Sequence, residues 1–276
     1  LDRDSSIDAV KGDSVYIMNL QLDQREDTPL VRAIDGSDLD ENPFRDLKVR
    51  QAIDHAIDRQ TMVDIVLEGL GKPANQMMPP GFFGSNASIA MPEHDPAKAR
   101  ELLAEAGYPD GFEIDLYCTS DRLPGDGAIC QGLGQMLSQV GIRTNVNAIS
   151  KTVYFPAQGR LEYSVFMNGW GTLTGEASYT LGSLAHSNDP ELKLGAYNRV
   201  DYANDDVDRL LQEGATELDD DKRRALYEEA MAKTMADKVY ISLVQLQTVW
   251  AAKANTVTFA PRFDEDTLAF FIQPKN

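Results

Sequence analysis

Apolar residues along this chain recur with two periods, and their alternation predicts an α/β fold. Val49, Ala52, Ile53, Ala56 and Ile57 fall at i, i+3, i+4, i+7 and i+8, the stripe of an amphipathic helix, with Asp46 as its cap. Asp58 is placed to cap a second, short helix carrying Met62, Val63, Val66 and Leu67, which Gly69 stops. Asp95-Pro96 puts a capping carboxylate before a proline at the first helical position, and Ala99, Leu102, Leu103 and Ala106 form the apolar face up to Gly107. Phe112, Ile114, Leu116 and Cys118 then alternate with polar residues as in a half-buried strand. A helix capped by Asp126 follows, through Ile129, Leu133, Met136, Leu137 and Val140 to Gly141, and 142–148 alternates again. Strand, helix and strand with short joints predict a parallel βαβ unit.

Weaker signals fill in the rest. Val15 to Leu20 reads as a strand leading into an Asp-rich loop, and the prolines at 73, 79 and 80 mark another long loop. Tyr163 to Met167 reads as a short strand with a Gly-rich loop, 168–176, after it. Two helices are expected near 205–216 and 220–236, and 239–251 is a long β-rich segment. No internal repeat or low-complexity tract interrupts the pattern.

Composition narrows the function. With 26 basic against 44 acidic side chains the formal net charge is -18, which opposes nucleic-acid backbones and anionic lipid surfaces as partners. No apolar run approaches the roughly 20 residues of a membrane helix, so insertion into a membrane is not expected. The pattern lacks a phosphate-binding Gly-Lys-Ser/Thr loop, a Gly-x-Ser-x-Gly elbow and a His-Glu-x-x-His pair, and His55, His94 and His186 are scattered. The expectation is therefore a binding protein, not an enzyme, with no catalytic residue, metal or cofactor. Cys118 ends one predicted strand and Cys130 sits early in the next helix, so a disulfide and a pair of buried free thiols are both open.

In open α/β sheets ligands bind beyond the carboxyl ends of the strands, where loops and helix N-termini converge. Two segments qualify. The loop after Cys118 carries Asp121 and Arg122, and the Gly-rich segment after Met167 carries Trp170, Gly171, Thr172 and Glu176. A large aromatic face between glycines suits stacking on a ligand, although a Trp in that setting also serves as a packing anchor. Arg122 has an equally plain alternative as a loop cation paired with Asp121 or Asp126.

Pro43-Phe44-Arg45-Asp46-Leu47-Lys48-Val49-Arg50-Gln51-Ala52-Ile53, with Ala56-Ile57-Asp58-Arg59 after it, resembles the signature of the family 5 solute-binding proteins of peptide and nickel ABC importers. Asp95-Pro96-Ala97-Lys98-Ala99 and Leu102-Leu103-Ala104-Glu105-Ala106-Gly107-Tyr108-Pro109-Asp110-Gly111-Phe112 are similar to that family's next motif. Gly141-Ile142, Gly169-Trp170-Gly171 and Asn204 with Asp208 follow in the family's order, so the likeness spans roughly residues 15 to 255.

The resemblance implies a lobe like those of type II periplasmic-binding proteins, with a mixed sheet flanked by helices. By analogy, 15–245 would form the second ligand-binding lobe, 1–14 a remnant of or connector to a first lobe that is largely missing, and 246–276 a segment returning towards it. The hinge would lie near Ser242 to Gln247, with few backbone contacts across it. The implied function is the extracytoplasmic, periplasmic component of an ABC importer. It would be a monomer that closes on a peptide or other small polar solute and delivers it to a membrane permease. Trp170 would face the cleft. Dipeptide- and oligopeptide-binding members carry an Asp for the ligand's ammonium group at the position where Leu173 stands here. A ligand-sensing domain of a transcriptional regulator is the alternative on the same fold.

Overall fold

A computed structural model describes residues 5–275. Along the chain run β1 (Ile7–Leu22), β2 (Val31–Arg32), α1 (Leu47–Ala56), α2 (Arg59–Thr61, continued by a π turn, Met62–Val66), β3 (Gly71–Pro73) and α3 (Pro96–Glu105). Next come β4 (Phe112–Thr119), α4 (Asp126–Gln139), β5 (Ile142–Ile149), α5 (Lys151–Gly159), β6 (Val165–Gly171) and α6 (Ala177–Leu184). The chain ends with α7 (Asp205–Thr216), α8 (Asp220–Ala236), β7 (Tyr240–Lys253), β8 (Val257–Phe259) and β9 (Ile272–Pro274).

Seven strands form one mixed sheet. β5 and β6 flank β4 in parallel, β1 runs antiparallel to both β6 and β7, β3 closes the far edge, and β2 pairs briefly with the start of β4. Alternation of side chains gives the sheet two apolar faces. Met18, Leu20 and Leu22 of β1 join α1, α3 and α4 in one core, whose members include Ile53, Leu103 and Leu133. Phe166, Trp170 and Tyr240 join α5 to α8 in the other, with Tyr154, Leu181 and Tyr227. The mixed α/β lobe expected from the sequence is present.

Local chemistry explains the predicted helices. The Asp46 carboxylate accepts from the Lys48 N–H, Asp58 from the Thr61 N–H, and Asp95 from the N–H groups of Ala97 and Lys98, each satisfying a donor at the start of a helix. α4 departs from the pattern: Gly125, in a left-handed conformation at φ 77°, takes the cap position, and Asp126 is the first helical residue. α5 and α6 were not expected. α5 carries Pro156 in its interior, and α6 starts at Glu176 with no side-chain cap, so neither announces itself.

Two further expectations are corrected. β6 does not stop at Met167 but runs through Asn168, Gly169, Trp170 and Gly171, paired with β1 from Gly171↔Tyr16 to Val165↔Leu22. Instead of a sparse junction near Ser242 to Gln247, β7 pairs there with both β1 and β3, the β1 ladder being interrupted by two register shifts. Asp13 pairs with Gln247, and the pairing continues to Ile7↔Lys253, so β1 and β7 leave the sheet together as a two-stranded ribbon. None of residues 247–275 is buried. At the point of departure β1 bulges, with the four-residue step from Asp13 to Ile17 set against the two-residue step from Gln247 to Gln245.

Candidate functional site

The connection from β4 goes to α4 on one face of the sheet, and those from β5 and β6 go to α5 and α6 on the other. The connections therefore change face between β4 and β6, the topological switch point at which ligands bind in sheets of this kind.

The loop leaving β4 is held from three sides. Its centre is the Asp126 carboxylate, 2% exposed, which accepts from the Thr119 hydroxyl at 2.7 Å and from the N–H groups of Arg122, Leu123 and Gly127 at 3.1, 3.2 and 2.8 Å. Asp121 ties the loop to the start of α5, accepting from the Ser150 hydroxyl at 3.0 Å and the Lys151 N–H at 2.7 Å. The backbone donor of Lys151 is the main reason that its carboxyl sits below the ordinary range. Beneath the loop, Cys118 and Cys130 form a disulfide with Cα atoms 6.5 Å apart, both side chains fully buried. The alternative of two free thiols is thereby removed. By closing a short loop in the unfolded chain, the bridge stabilises the fold by about 3 kcal/mol. The double variant Cys118→Ala, Cys130→Ala should lose that amount in urea unfolding and show faster amide exchange at 119–126.

Arg122 reaches from this loop to the end of β6. Its Nη1 donates to Asn168 Oδ1 at 2.7 Å and to the Gly169 carbonyl at 2.8 Å, and its guanidinium lies 5.2 Å above the centre of the Phe155 ring. It makes no ion pair among the described residues. Burial lowers its pKa, yet a guanidinium remains charged at any physiological pH. The glycines of Gly169-Trp170-Gly171 are explained here: a Cβ on Gly169 would land on Leu123 Cδ1, and one on Gly171 would meet the Tyr16 ring at 3.0 Å. The room they create is filled by this chain's own side chains.

The other predicted residues are placed less openly. Trp170 is 9% exposed and packs on Tyr179 and Tyr197, with ring centres 5.5 and 5.2 Å away, and its indole N–H has no partner. Thr172 is fully buried, its hydroxyl 2.9 Å from that of Thr180. Glu176 accepts from the Ser178 hydroxyl at 3.0 Å and lies 3.9 Å from Arg223 Nε. Leu173, just past β6, is 64% exposed.

A family model of the bacterial extracellular solute-binding proteins, family 5, middle region, matches residues 1–191. The chain belongs to this family. It is 33% identical over 225 residues to the glutathione-binding protein GsiB of Salmonella choleraesuis (strain SC-B67), covering 79% of this chain and 43% of that protein. GsiB of Escherichia coli (strain K12) is 32% identical over 224 residues, with the same coverage. The chain thus spans less than half the length of these family 5 relatives. Among solved structures it is similar to HbpA2 from Haemophilus parasuis, with a TM-score of 0.81 at 20% identity over 100% of this chain and 51% of that one. It is likewise similar to the periplasmic binding protein DppA from Helicobacter pylori in complex with the peptide STSA, with a TM-score of 0.79 at 24% identity over 100% and 50%. At these identities the likeness concerns the fold.

Sequence reasoning on this family 5 chain missed Asn168, Phe155 and Tyr16 as neighbours of Arg122. Phe155 lies on the unexpected α5 and Tyr16 in the β1 bulge, and no local pattern marks either. Among the described residues no helix is long and apolar enough to cross a membrane.

Proposed function

We propose that this chain is the second lobe and return segment of the solute-binding component of an ABC importer, with Arg122 gripping an anionic group of a peptide or other small polar solute. The observation that carries the reading is a half-buried guanidinium, fixed by Asn168 and Gly169 and in no ion pair among the described residues, at the switch point of the sheet. Asp121 fixes the loop that bears Arg122, while Trp170, packed in the α5 to α8 core, and Thr172, fully buried, anchor from behind the segment that carries Gly171 and Glu176. In this reading 15–245 make the lobe and 246–276 return to the other one. Ligand bridging the two lobes shifts the protein from open to closed, and the closed form engages the membrane permease outside the cytoplasm as a monomer. The relatives named for glutathione and for peptide support this ligand class. The site binds its solute without transforming it.

Native mass spectrometry of the two-lobed protein, purified without refolding, tests the proposal. Wild type is expected to retain a small acidic solute. Arg122→Ala should bind that solute roughly 10- to 100-fold more weakly, the loss of a hydrogen bond to a charged group worth about 1.5–3 kcal/mol. Equal affinity in the variant would remove Arg122 from the site.

A further inference from the structure

We infer that the solute is recognised through a negative charge and that a free amino group on it is dispensable: the ligand class is small organic acids, acidic or N-blocked peptides included. This rests on the binding reading above and deepens it. The ground is how the carboxylates and the Arg122 guanidinium at this end of the sheet are engaged, with Lys151 at the start of α5 adding a second cation beside them.

Asp126 accepts four hydrogen bonds from its own loop and is 2% exposed. Both oxygens of Asp121 are taken by Ser150 and Lys151. Glu176 faces Arg223 Nε at 3.9 Å and holds the Ser178 hydroxyl. At the β1 bulge, Asp13 is bound by Lys72 Nζ at 2.6 Å and by Gln247 Nε2 at 2.7 Å. Each of these carboxylates is thus already matched with donors or cations of the protein, and Leu173, 64% exposed just past the end of β6, is apolar. The guanidinium of Arg122 makes no ion pair among the described residues: its hydrogen bonds go to neutral oxygens and its face to Phe155, while Asp126, whose charge it feels, is already engaged by four donors. A cation arriving here would meet a like charge, and an anion would give the guanidinium the direct ion pair it lacks.

Three pools of one random tripeptide library decide the matter: free, N-acetylated and C-amidated, offered to the two-lobed protein, with the retained peptides read by mass spectrometry. The expected result is retention from the free and N-acetylated pools within about threefold of each other, and at least tenfold less from the amidated pool, confined there to sequences with an acidic side chain. Loss of the acetylated pool with retention of the amidated one overturns the inference and leaves the binding function standing. Retention from no pool fails the functional reading itself, and the inference with it. Leu173→Asp supplies the missing carboxylate and should raise the preference for free over acetylated peptides at least tenfold. An unchanged preference in a folded variant would mean that position 173 does not face the ligand's amine and would overturn the charge account.

Discussion

Replacing Asp54 by Asn is expected to lower the unfolding free energy by about 3–5 kcal/mol. Asp54, on α1, is 4% exposed and receives two cations: Arg59 Nη2 on one oxygen and Lys238 Nζ at 2.7 Å on the other. Arg59 is equally buried and also donates from Nε to the Ser242 carbonyl at 2.8 Å, so the cluster joins the helical layer to β7. An amide of the same shape leaves two cations facing each other with no counter-charge. The pH dependence has a definite sign. Burial acts to raise the pKa of Asp54, but the charges of Arg59 and Lys238 outweigh it and the carboxyl sits below its ordinary value. A carboxyl depressed in the folded state contributes stability above its unfolded pKa of about 4 and loses it as the pH falls through the lower, folded value. Urea unfolding from pH 7 to pH 3 should therefore show the gap between wild type and Asp54→Asn narrowing only in acid. A gap that is constant with pH would mean that lost packing, and not charge, causes the effect.

Trp170→Ala should lower stability by a similar 3–5 kcal/mol, the range for deleting a buried large aromatic. A Trp facing an open cleft, the arrangement expected from the sequence, would lose less. The difference lies in β6 continuing through Trp170, which sends the side chain into the α5 to α8 core between Tyr179 and Tyr197. Trp170→Phe should cost much less, because a ring remains and the indole N–H that goes had no partner to lose. Thermal unfolding of the three proteins, with and without retained solute, separates packing from binding. If Trp170→Ala melts like wild type and binds solute about 1–3 kcal/mol more weakly, the side chain belongs to the ligand surface.

The helices whose donors are satisfied from within their own sequence were readable. Asp46, Asp58 and Asp95 each cap a helix with a clear apolar stripe, and the βαβ unit from Phe112 to Ile149 has unbroken periodicity. What could not be read depends on contacts distant in sequence. Gly169 and Gly171 suggested a loop because glycine is usually spent on turns. Here they are strand residues, small because Leu123 and Tyr16 lie across them. The same holds for the site. The positions of Arg122 and Asp121 after a strand end were legible, and the roles of their partners were not. Asn168, Phe155 and Lys151 reach them only once β6 and α5 have been laid against β4. Asp126 was legible as a carboxylate at the start of a helix, but its duty to the preceding loop required three backbone donors that a sequence does not display.

The paired exit of β1 and β7 has a mechanical consequence. Two single strands can slide past each other, but strands joined by a ladder from Ile7↔Lys253 to Asp13↔Gln247 resist shear along their length, since any slip breaks several hydrogen bonds at once. Such a ribbon yields more readily to twisting, the deformation to which two-stranded sheets are already inclined. The bulge between Asp13 and Ile17, where the ladder is interrupted, is the natural fulcrum. Relative motion of whatever the ribbon joins is therefore steered into rotation about one axis, and that axis emerges beside Tyr16, a neighbour of Arg122.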